Sequence, residues 1–125
     1  MIIAVDFDGT LHMGAFPSIG TISPDARKYM QKLKDDGHYI IINTCRCDKE
    51  QLEAINWLKE QDIPFDRVND NHPENTVKYQ SNSRKIYAHV YVDDKQVGGL
   101  PPWKDIYKYI TDIEKEYLNE KDTKA

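Results

Sequence analysis

Asp6 and Asp8 stand one residue apart, followed by Gly9 and Thr10 and preceded by an unbroken apolar run, Ile2, Ile3, Ala4 and Val5. A short apolar run bounded by a turn signal reads as a strand covered on both faces, and open α/β sheets bind their ligands beyond the carboxyl ends of such strands. The pattern predicts two carboxylates at the tip of a buried strand, on a loop that Gly9 allows to turn closely. Phosphoryl transfer on magnesium is the chemistry that fits there. An Asp-x-Asp pair alone carries little in a chain with 21 acidic residues. Gly9, Thr10 and the strand context give it content.

Two further apolar runs end in groups of the same kind. Tyr39, Ile40, Ile41 and Ile42 lead to Asn43, Thr44, Cys45 and Arg46, and Val90, Tyr91 and Val92 lead to Asp93 and Asp94, with Lys85 upstream. Taken in order, these four motifs resemble those of the haloacid dehalogenase (HAD) superfamily, a group of mostly magnesium-dependent phosphohydrolases. Ser83, Arg84 and Lys85, with Val92 to Asp94, Gly98, Gly99 and Trp103, are similar to a small stand-alone bacterial and phage branch of it.

The resemblance implies a role for each position. Asp6 would be the nucleophile that forms an aspartyl-phosphate. Asp8 would protonate the leaving alcohol and then activate water, with a pKa raised by burial or by neighbouring carboxylates. Asp6, Asp93 and the Asp8 backbone carbonyl would hold Mg2+, with Asp94 beside them on a metal-bound water or on Lys85. Thr44 would donate its hydroxyl to the phosphoryl group, with help from the Cys45 amide, while Gly9 lets the loop wrap the phosphate and Thr10 braces it. Lys85, with Lys78 and Lys95 as rivals, would neutralise the phosphoryl oxygens. Arg46 is open to three readings: a clamp on a second substrate anion, a cap on the following helix, or a solvated side chain.

Elements that would position these groups alternate along the chain. Ser23 followed by Pro24 predicts a helix start with Ala26, Met30 and Leu33 on its apolar face and Gly37 at its end. Asp48 predicts the next start, with Leu52, Ile55 and Leu58 facing inward until Pro64. Phe65 to Val68 reads as a short edge strand, Asn69 to Pro73 as loop, and Glu74 to Tyr79 as a weakly patterned helix. A last helix from about Trp103 carries Ile106, Ile110, Ile113 and Tyr117 at helical spacing. The rhythm predicts a single-domain, doubly wound, mostly parallel α/β sheet with helices on both faces. The core would span 1–119 and a polar tail 120–125. The resemblance adds a Rossmann-like core with strand order three, two, one, four.

Leu11 to Ile22 is too short for an inserted cap domain and reads as a flap, with His12, Met13, Phe16, Pro17 and Gly20 at the mouth. A histidine there is expected at the surface, and His72 and His89 in loop and packing roles. Cys45 and Cys47, one residue apart, read as free thiols. Trp103 and the tyrosines of the last helix are candidates for a dimer contact.

A net charge of −4 demotes nucleic acid and anionic membranes as partners. The first residues lack a basic region and no segment approaches a membrane span, so a cytoplasmic protein is expected. A receiver domain, which also uses acidic residues, a Thr and a Lys, would place its acceptor Asp after the third strand. The remaining alternatives are a non-catalytic module binding Mg2+ and phosphate, and a phosphotransferase of the same fold. A small phosphorylated substrate is the expected partner, with its identity and the oligomeric state open.

Overall fold

The computed structural model describes residues 1–124, with side chains through Lys121. In chain order the elements are β1 (Ile2–Val5), α1 (Ala26–Asp35), β2 (Tyr39–Ile42), α2 (Asp48–Glu60), β3 (Arg67–Val68), α3 (Pro73–Tyr79), β4 (Val90–Val92) and α4 (Trp103–Lys124). Every strand pairing is parallel, and the spatial order is β3-β2-β1-β4.

Burial on both faces explains the continuous apolar runs of β1 and β2. One face of β1 and β2, through Ile3, Val5, Ile40 and Ile42, packs on Met30 and Leu33 of α1, Ala54 and Leu58 of α2, and Ile106 and Ile110 of α4. The alternate residues Ile2, Ala4 and Ile41 turn to the other face, where Ile86 and Ala88 of the β3-to-β4 crossover cover them. The chain is an α/β doubly wound domain of Rossmann type.

Local boundaries depart from expectation where a side chain competes with the backbone. The first helix opens at Ala26, because Asp25 adopts a left-handed conformation (φ 63°) and the Ala26 N–H closes a turn on the Ser23 carbonyl. Gly37 ends it as anticipated, at φ 89°. Leu52 is 59% exposed, so the inward stripe of α2 is Ala54, Trp57 and Leu58. Trp57 packs edge-on against Phe7, with centroids 5.6 Å apart, and this contact sets the helix rotation. The third strand shrinks to two residues: the Asp66 N–H still donates to the Ile40 carbonyl, but the Ile40 N–H donates to the Asp66 carboxylate instead of to a backbone carbonyl.

The expected tail begins inside α4, which continues to Lys124; Ala125 lies outside the described residues. Among the described residues no helix is long and apolar enough to cross a membrane.

Candidate active site

Strand register assembles the site. Val5 pairs with Ile42 on one side and Val92 on the other, so the residues that follow each strand emerge side by side. The Asp6 N–H donates to the Val92 carbonyl and the Asn43 N–H to the Val5 carbonyl, both at 2.8 Å, which extends the ladder by one step at each junction. β1 is where the chain order of the sheet reverses, and the crevice beyond it is the preferred ligand position of this architecture.

Asp6, Asp93 and Asp94 each place a carboxylate oxygen within 4.8 Å of the others. Burial, then the Asp94 side chain and the Asp93 charge, push the Asp6 pKa up to about 7. Asp94 Oδ1 is buried and has no hydrogen-bond partner. Three converging carboxylates and a buried oxygen without a donor form a set of hard ligands that fits a divalent cation such as Mg2+.

Thr10 ties the two loops together: its hydroxyl donates to Asp6 Oδ2 (3.1 Å) and accepts the Asp94 N–H (3.2 Å). Its carbonyl accepts the indole N–H of Trp103 (3.3 Å). Trp103, anticipated as a dimer contact, is instead 3% exposed and braces the loop of Thr10.

Gly9 adopts φ 78°, and a Cβ there would overlap the Asp94 carboxylate. Gly9→Ala is therefore expected to cost about 1–3 kcal/mol through backbone strain and to disturb the acidic cluster by moving Asp94. Thermal melting and calorimetric Mg2+ titration read the two effects.

Asp8 corrects the expectation of a raised pKa. Burial pulls its pKa upward, but hydrogen bonds from Arg46 and His12 outweigh it and hold the carboxyl below its ordinary value. Arg46 donates from Nε to Asp8 Oδ2 (2.9 Å) and from one terminal nitrogen to Oδ1 (2.7 Å), a bidentate pair. The guanidinium is 2% exposed and lies between the rings of Phe7 and Phe16, 5.1 and 5.0 Å from their centroids. Arg46 is thus neither solvated nor free to clamp a substrate anion in this arrangement; its charge is spent on Asp8.

His12, expected at the surface, is fully buried. Its Nδ1 accepts the N–H groups of Gly14 (3.0 Å) and Gly20 (3.1 Å), so Nε2 carries the proton and donates to Asp8 Oδ1 (2.8 Å). The same ring closes the flap, because Gly14 and Gly20 approach too closely for either to bear a Cβ. That glycine pair, eight residues or fewer from His12, is the signal in the sequence that reading missed.

Thr44 follows β2 and is fixed by Asn69, whose Oδ1 accepts the Thr44 N–H and whose Nδ2 donates to the Thr44 carbonyl, both at 2.8 Å. Its hydroxyl accepts the Arg46 N–H (3.1 Å). Asn69, read from sequence only as loop, is left-handed at φ 51°, a conformation that asparagine tolerates well. Cys45 and Cys47 are free thiols, as expected, and both are exposed.

The three candidate lysines separate. Lys95 reaches Asp94, with Nζ 3.7 Å from Oδ2. Lys85 Nζ stands 5.2 Å from the Tyr91 ring centroid, beside β4, and among the described residues forms no ion pair with the acidic cluster. Lys78 lines a cavity at the opposite end of the sheet with Met1 and Tyr39.

Fold and site together define an α/β domain of Rossmann type with an acidic cluster at the switch point of its sheet, and with no inserted cap domain among the described residues. Comparison with known proteins is specific. The haloacid dehalogenase-like hydrolase family profile matches residues 3–69, more than half of the chain. A solved structure described as that of a conserved protein from Bacteroides thetaiotaomicron is 37% identical, covers 90% of both chains and superposes with a TM-score of 0.81. No curated protein matches. The chain belongs to the haloacid dehalogenase-like hydrolase family.

Proposed function

We propose that this protein is a Mg2+-dependent phosphohydrolase that cleaves phosphate monoesters of small molecules through Asp6. The observation that carries this reading is the convergence of Asp6, Asp93 and the partnerless buried Asp94 oxygen at the switch point of the sheet. Asp6, Asp93, Asp94 and the Asp8 carbonyl would hold Mg2+, which when bound neutralises charge on the carboxylates and on the transferring phosphoryl group.

An Asp6 carboxylate oxygen attacks phosphorus in line, the ester P–O bond breaks, and the leaving oxygen takes a proton from Asp8 or from solvent. Water then attacks the aspartyl-phosphate while Asp8 accepts its proton, releasing inorganic phosphate and restoring the Asp6 carboxylate. Thr44, held by Asn69, offers its hydroxyl to the phosphoryl group, with the Cys45 N–H beside it and Gly9 opening the loop to the phosphate. Lys95, whose ammonium already reaches Asp94, would supply positive charge beside the phosphoryl oxygens, whereas Lys85 would have to leave its place on the Tyr91 ring to do so.

Asp8 is paired with Arg46 and held ionised at neutral pH. It is ready as a base and poorly supplied as an acid. Aryl phosphates, whose leaving groups need no proton, are therefore expected to turn over at least about tenfold faster than alkyl phosphates at neutral pH. A leaving-group series on the parent protein measures this directly.

The founding test is hydrolysis of an aryl phosphate with and without Mg2+, comparing the parent with Asp6→Asn. Activity requiring both the metal and Asp6 supports the enzyme. Mg2+ binding with no turnover supports a non-catalytic Mg2+- and phosphate-binding module, a reading favoured by the Asp8 lock alone. Turnover that appears only when an alcohol acceptor is added supports a phosphotransferase.

A further inference from the structure

At the amino end of the sheet, opposite the acidic cluster, lies a cavity of about 510 Å3 bounded by the starts of β1 and β2, by α3, and by the last turns of α4. That volume falls within the range of small-ligand sites. None of its side chains takes part in the chemistry proposed above.

Its wall is built of rings. His72 stacks at a tilt on Tyr39, with centroids 4.3 Å apart, while His89 contacts Tyr117 edge-on at 4.9 Å and Tyr87 at 5.6 Å. Tyr87 is 50% exposed and the nearby Tyr79 is 65% exposed, which leaves π-faces available to a planar guest.

The polar groups of the cavity are mostly donors. His89 Nδ1 accepts the Ile2 N–H (2.9 Å) and His72 Nδ1 accepts the Glu74 N–H (3.1 Å), so both rings carry their proton on Nε2. Neither Nε2–H meets a partner among the described residues. The ammonium groups of Lys78 and Lys121 stand over the rings of Tyr79 (5.2 Å) and Tyr117 (4.7 Å), and neither forms an ion pair among the described residues. Glu74 is the lining carboxylate that opposes them. Two imidazole donors and two unpaired ammonium groups against one carboxylate favour an anion, and exposed tyrosine faces favour an aromatic ring.

We propose that this cavity is a second binding site, distinct from the acidic one, for a nucleoside monophosphate. Its phosphate meets the lysine and imidazole donors, and its base lies against the tyrosine rings.

The test is an NMR titration of the metal-free protein, in chelator, with adenosine 5′-monophosphate, adenosine and inorganic phosphate as separate probes. Saturable shifts of the His72, His89 and Tyr117 ring signals with the nucleotide are expected, with adenosine and phosphate each binding at least about tenfold more weakly. The paired substitution Lys78→Ala and Lys121→Ala, both at exposed positions, should weaken the nucleotide about tenfold or more while leaving the spectrum otherwise folded. No saturation by about 10 mM nucleotide, shifts confined to Asp6 and Thr44, adenosine binding as tightly as the nucleotide, or unchanged affinity in the lysine variant would each overturn the assignment.

Discussion

Asp6→Asn is expected to reduce Mg2+-dependent aryl phosphate hydrolysis by about 10⁴-fold or more while raising the melting temperature of the metal-free protein. The amide keeps the shape of the side chain and removes the oxygen proposed as nucleophile, and removal of a nucleophile is among the most costly single changes an enzyme can suffer. The gain in stability has a separate origin. Without a cation, burial and the Asp94 and Asp93 carboxylates raise the Asp6 pKa from 3.8 to about 7.

Between those values the folded state binds more protons at Asp6 than the unfolded state does, so stability falls as pH rises across that window. The contribution is full below pH 3.8 and gone above about pH 7. Asp8, with a lowered pKa, acts in the opposite sense, and its contribution is lost only as pH falls through the acid range. Metal-free parent protein should therefore melt lower at about pH 8 than at about pH 5.5, Mg2+ should close the gap, and Asp6→Asn should flatten it. Scanning calorimetry of both proteins with chelator or Mg2+ reads all three. A variant that retained the parent's slope would assign the pH dependence to other groups.

What could be read from sequence was what depends on local pattern. The runs of β1 and β2 are strands buried on both faces, that of β4 leaves Tyr91 on an exposed face, and each run ends where a polar group begins. Parallel register then aligns Asp6, Asn43 and Asp93 without further information. Thr10, Thr44 and Asp94 follow from the same logic, since each lies within a few residues of a strand end.

What escaped depends on contacts distant in sequence. Arg46 follows a strand and precedes a helix, a place where arginine is ordinarily solvated. Only Asp8, 38 residues earlier, explains why it is buried. His12 gave no periodic signal because its burial is fixed by two backbone N–H groups that the flap folds back onto it. Trp103 falls on the apolar stripe of a helix, and nothing local shows that its N–H reaches the loop of Thr10 across the domain. Leu52 failed for a related reason: helical spacing gives the period of a stripe, whereas Trp57 against Phe7 decides its rotation.

The Asp8 and Arg46 pair carries the second large effect, and it should be asymmetric. Asp8→Ala would leave a guanidinium that is 2% exposed with only the Ser18 and Glu50 carbonyls, at 3.3 and 3.4 Å, as its acceptors. Stranding a buried cation in this way is expected to cost about 3–5 kcal/mol. Arg46→Met would leave Asp8 with a 28% exposed side chain and with His12 still donating to it, so the smaller loss of a charged hydrogen bond applies, about 1.5–3 kcal/mol.

The double variant removes both charges and should lose about 1–3 kcal/mol less than the sum of the two single losses. Urea unfolding of the four proteins at neutral pH measures the cycle, and strict additivity would show that the pair is not coupled. Arg46→Met has a further consequence for chemistry. Relieved of its strongest partner, Asp8 should hold its proton to higher pH, so alkyl phosphate turnover should rise relative to aryl turnover. The fold would then be seen to trade acid strength at Asp8 for order in the loop that carries Asp6.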